Sequence, residues 1–124
     1  MSKGRLGLSI AIVALMAIPA HAQSSSELDQ LSPEARLAAV DALCATDGEL
    51  ASVFMDMRQR RMSMAVVMSS SLSAAPDDPE YQAMIRAMII AAYDIPAFSG
   101  DEMKQEAIDD FGNEATLACY RANQ

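Results

Sequence analysis

Cys44 and Cys119, ten methionines and an excess of carboxylates are the side chains with chemical reach in this 124-residue sequence, which carries one histidine, His21. The two cysteines stand far apart instead of in a C-x-x-C turn, an arrangement that suits a structural bridge better than a redox pair. In an oxidising compartment the expected product is a disulfide between Cys44 and Cys119, with two free thiols as the alternative. Closing a loop of about 75 residues, that bridge is worth ~4 kcal/mol by loop-closure entropy, a large share of what a small domain can have.

Soft thioethers can bind Cu(I). Among Met55, Met57, Met62, Met64, Met68, Met84, Met88 and Met103, only the pairs Met64/Met68 and Met84/Met88 are spaced to share a helix face. Those four also fall on apolar stripes, where methionine fills irregular gaps in a core. Core packing is the leading reading, and a Cu(I) site built from Met64, Met68, Met84 and Met88 is the alternative; no other cofactor is expected.

Carboxylates make a third pattern. Glu102, Glu106 and Asp110 recur at i, i+4, i+8 beside Asp101, Asp109 and Glu114, with no basic residue at i+4 from any of the three. Like charges at this spacing cost roughly 0.2–0.5 kcal/mol per pair, so the face is either simply solvated or covered by a basic protein partner. A Ca²⁺ site lacks the oxygen-rich loop it needs, and glycoside hydrolysis lacks cleft-forming loops and aromatic platforms. Arg58, Arg60 and Arg61 crowd one helix end, either to balance its dipole or to touch an anionic surface.

Residues 1–22 read as a secretory signal peptide. Lys3 and Arg5 precede an apolar run from Leu6 to Ile18 and a small-x-small exit at Ala20-His21-Ala22. A retained N-terminal anchor is the alternative, although the run is short for a membrane span. Cleavage leaves seven of the nine basic residues against 17 acidic ones and removes the sole histidine. Histidine-dependent nucleophiles, histidine zinc sites and histidine pH switches are then excluded, and no enzyme is expected. The acidity disfavours nucleic acid and favours a basic partner. The expected location is the periplasm or outside the cell, without stable membrane insertion.

These side chains need elements to position them, and the composition points to helices. Apolar residues make up 52% of the chain but aromatics only 5%, so the core must be Ala, Leu, Ile, Val and Met, which favours helices over strands. Residues 23–31 form an aperiodic, flexible leader, and residues 32–124 form one helical domain. Ser32-Pro33-Glu34 opens a helix with apolar Leu37, Val40, Cys44, Leu50, Val53, Phe54 and Met57, kinked or broken at Gly48. Ser63 caps a short helix from Met64 to about Leu72, followed by a serine-rich loop. Asp78-Pro79 opens the helix around which the others are expected to pack; Pro96 ends it. Ser99 and Glu102 read as a capping box for a last helix burying Ala107, Ile108, Phe111, Ala115, Ala118 and Cys119. The expected fold is all-α, a small bundle of four or five helices with one disulfide joining the terminal helices.

M-R-Q-R-R-M-S-M at 57–64, A-A-Y-D-I-P at 91–96 and I-D-D-F-G-N-E-A-T-L-A-C at 108–119 together resemble a group of small exported all-helical proteins of proteobacteria and their phages. The group's pattern has an R-Q-x-G turn, an A-Y-x-x-P motif and two cysteines. Arg61 departs from it, standing where the group tends to have glycine, so a tight left-handed turn there is either lost or strained. The resemblance implies a fold, a disulfide and a bacterial envelope address, and no activity. In layout the chain is also similar to periplasmic acid-stress chaperones and exported immunity proteins. The expected function is therefore non-enzymatic protein binding, as an inhibitor, immunity factor or chaperone, with periplasmic Cu(I) binding through methionine as the alternative.

Overall fold

The computed structural model of the protein describes residues 27–124; the expected signal peptide, 1–22, and the first part of the leader, 23–26, lie outside the described residues. The fold is all-α. Four long helices, α1 (Pro33–Gln59), α2 (Met64–Ala74), α3 (Pro79–Asp94) and α4 (Asp101–Ala122), follow a helical turn at 27–30, with no strand among the described residues. A disulfide between Cys44 and Cys119 joins α1 to α4, with Cα atoms 5.3 Å apart.

Helix boundaries follow from local chemistry. Ser32 accepts a hydrogen bond from the Ala35 N–H and Asp78 accepts from the N–H groups of Glu80 and Tyr81, each with proline in the first turn. Ile95 is extended ahead of Pro96, which ends α3. Two expected caps differ. The cap of α4 falls on Gly100, not Ser99, and Ser63 sits at the cap of α2, but neither helix gains a side-chain capping bond. The serine run expected as loop is instead helical through Ala74. Ser70 and Ser73 donate to the carbonyls of Val66 and Ser69, so the helix itself satisfies their hydroxyls.

The core joins Ala51, Phe54 and Met55 of α1, Val67 of α2, Ile85, Ile89 and Ala92 of α3 and Phe111 of α4. The Asp78–Pro96 segment is not its hub. That place belongs to α1, which packs against all three other long helices, whereas α3 packs on α1 and α2 and scarcely touches α4. The cause is two glycines. α1 runs unbroken through Gly48, which is buried directly against buried Gly112 of α4; a Cβ on either would lie 3.1 Å from the other's carbonyl oxygen. Ser52 donates to the Ile108 carbonyl across the same antiparallel seam. Toward its N-terminus α1 reaches the end of α4 where the Tyr120 hydroxyl donates to Asp41, and Leu37, one turn farther out, is exposed. Val53 is exposed as well, because Ala51, Phe54 and Met55 set the buried side of that turn.

α1 ends in a left-handed turn in spite of Arg61. Arg61 has φ 60°, its N–H donates to the Arg58 carbonyl, and the Met62 N–H donates to the Met57 carbonyl, the paired bonds of a Schellman motif. A non-glycine residue there costs about 1 kcal/mol. Arg61→Gly is therefore expected to raise stability by up to ~1 kcal/mol, less the exposed bond from Arg61 Nη2 to the Ala97 carbonyl, as a higher urea midpoint with unchanged slope.

Candidate functional site: a groove between α3 and α4

Because α3 and α4 both pack on α1 but scarcely on each other, a groove of about 390 Å³ opens between them. Alanines make room for it. Ala87 and Ala91 line one wall beside Met84 and Met88, and Ala115 and Ala118 line the other beside Phe111 and Cys119. A second hollow of about 250 Å³ shares Phe111 and Glu114 and continues past Asp110 and Glu106 to Phe98 and Met103. The two form one strip along α4. Ala83, Ala87, Ile90 and Ala91 form a second weakly polar face of α3; although α3 packs on α1 and α2, these four residues remain exposed.

Carboxylates edge this apolar strip. Glu106, Asp110 and Glu114 line it from α4 and Asp47 from α1, and among the described residues no basic side chain lines either hollow. The ion pairs among the described residues, Arg36 with Asp29 and Arg60 with Asp56, involve none of these acids. Of the expected face, Glu106 and Asp110 reach the groove, whereas Glu102, one turn earlier, is exposed outside it and Glu114 takes its place in the row.

Burial raises the Asp47 carboxyl above its ordinary 3.8. Its protonated form is thus favoured more in the folded than in the unfolded chain, and ionising it opposes folding. Full stability from this group is present below pH 3.8 and is lost as pH rises through the folded pKa. Asp47→Asn should accordingly gain stability over the natural protein at neutral pH and lose that advantage in acid, measured by urea denaturation across a pH series.

The methionines divide. Met84 and Met88 line the groove and also pack against the core, Met68 packs against the core from α2, and Met64 is exposed at the start of α2. Two of the four thioethers considered for Cu(I) therefore share this site. Among the described residues no three carboxylates, thiols or imidazoles are placed to hold a metal ion.

The arginines at the end of α1 are engaged within the chain: Arg60 pairs with Asp56 and Arg61 donates to the Ala97 carbonyl. Arg58 Nε donates to the Ile95 carbonyl and its guanidinium lies 5.3 Å from the centre of the Tyr93 ring, while the Tyr93 hydroxyl donates to the Met62 carbonyl. Gln59, which in the sequence stands only as the glutamine of the R-Q-x-G pattern, is buried at the centre of this clasp: its amide donates to the Pro96 carbonyl at 3.0 Å and its oxygen accepts from the Phe98 N–H at 2.9 Å. Residues around 57–62 and 91–96 thus hold the α3–α4 connection, which forms one end of the groove. The signal available for Gln59 was an uncharged polar residue in register with Met55 on a buried helix side.

No protein-family model, curated protein or solved structure matches the chain.

Proposed function

We propose that this is a non-enzymatic exported protein, periplasmic or secreted, that binds another protein as an inhibitor, immunity factor or chaperone. The observation that carries this reading is the apolar strip between α3 and α4, left uncovered by the described helices and edged by carboxylates with no ion-pair partner among the described residues. Such a strip is a surface for association, not for chemistry. The disulfide suits an oxidising compartment, and among the described residues no helix is long and apolar enough to cross a membrane. The resemblance to exported bacterial and phage proteins points to the same address.

Recovery of a partner from a bacterial envelope extract on the tagged protein tests the reading. A partner held by the natural protein and lost with Glu106→Lys/Asp110→Lys is the expected result; no enrichment over a control bait would overturn it. Met84 and Met88 in one groove keep Cu(I) binding as the second reading. Stoichiometric copper retained by the purified protein, and lost on Met84→Leu/Met88→Leu, would favour it instead.

A further inference from the structure

We propose, resting on the protein-binding reading above, that the groove receives a cationic amphipathic helix of the partner, its apolar side on Met84, Met88, Phe111 and Ala115 and its basic side toward Glu106, Asp110 and Glu114. Three features select this occupant. The floor is apolar and includes two methionines, whose flexible thioethers adapt to varied apolar side chains. Among the described residues the edge carries carboxylates and no basic side chain, so cations on the occupant relieve the repulsion within the i, i+4 row of Glu106, Asp110 and Glu114. The strip from Glu106 to Ala118 follows one helix for roughly 18 Å, the length of about three helical turns.

The remaining occupants fit less well. A second copy of this chain brings more acid, since the sequence already carries 17 acidic against 9 basic residues. Anionic lipid or nucleic acid would meet the same carboxylates. An acidic peptide would add to the repulsion, and a neutral apolar one would leave the charged edge uncompensated and Asp47 further desolvated.

Three synthetic helical peptides of about 14 residues, sharing one leucine face and carrying Lys, Gln or Glu on the other, test the assignment by fluorescence anisotropy. The expected order is Lys tightest, Gln weaker by roughly tenfold and Glu without binding, with the Lys peptide's affinity falling as salt rises from ~20 to ~300 mM. Glu106→Gln/Asp110→Gln/Glu114→Gln, all at exposed positions, should weaken the Lys peptide by roughly tenfold and leave the Gln peptide unchanged. Ala87→Trp, also at an exposed position, should fill the groove and abolish both. Circular dichroism establishes that each variant is folded.

Equal binding of the Lys and Gln peptides, or Lys binding indifferent to Ala87→Trp, would overturn this assignment while leaving protein binding elsewhere intact. Failure of all three peptides would overturn it too, and the envelope recovery experiment then decides the broader reading independently.

Discussion

Cys44→Ser/Cys119→Ser is expected to lose ~4 kcal/mol of unfolding free energy relative to the oxidised protein. The bridge closes a loop with a sequence separation of 75, which contains the second half of α1, all of α2 and α3 and nearly all of α4. Opening it returns that loop-closure entropy to the unfolded chain, in a domain whose whole stability is about 5–15 kcal/mol. Folded-state losses add to this. Cys44 is fully buried, and the neighbouring bond from Tyr120 to Asp41 is exposed and cannot by itself keep the end of α4 on α1. Urea denaturation of the oxidised and double-serine proteins gives the difference directly. A loss below ~1 kcal/mol would mean that the glycine seam alone fixes the pair of helices.

The second large effect belongs to that seam. Gly48→Val should cost about 2–3 kcal/mol, because its Cβ would overlap Thr116 Oγ1 and lie 3.1 Å from the Gly112 carbonyl, with two further methyl groups to place. Gly112→Val meets Ser52 Oγ and the Gly48 carbonyl in the same way. Thr116 can rotate but the two carbonyls cannot, so the helices must separate. Helix propensity works against this loss, since glycine is ~1 kcal/mol poorer than alanine in a helix interior, yet it does not outweigh the backbone overlap. Gly100→Ser is the control: no heavy atom lies within 4 Å of its Cβ position, it occupies the cap of α4, and serine is a good cap. It should leave stability unchanged or slightly raised.

How far the sequence could be read depends on whether a signal is local. Ser32-Pro33 and Asp78-Pro79 combine a capping oxygen with a fixed φ, and both helices start there. The cysteine pair was legible because only one pairing is possible. Gly48 was ambiguous because a lone helical glycine looks like a break until its counterpart is known. The missing signal was a small residue one turn on in each helix, Ser52 after Gly48 and Thr116 after Gly112, which marks a close crossing. Tertiary context likewise decided Ser69–Ser73, whose hydroxyls suit a loop or a back-bonded helix equally well. For the candidate site, the acidic row was visible as an i, i+4 repeat, and the weakly polar second face of α3 as a surplus of alanine. Their convergence was not visible, because it depends on α3 and α4 diverging as they pack on α1.

Methyl-labelled methionine offers the most direct test of the central claim, since the side chains are distributed over the whole domain. In a titration with the Lys peptide, the methyl resonances of Met84, Met88 and Met103, which line the strip, are predicted to shift together and to saturate at one equivalent. Those of Met62 and Met64, exposed near the start of α2 and outside the strip, are predicted to stay in place. Shifts confined to Met62 and Met64, or none at Met84 and Met88 at saturating peptide, would contradict the assignment of the α3–α4 groove as the binding site.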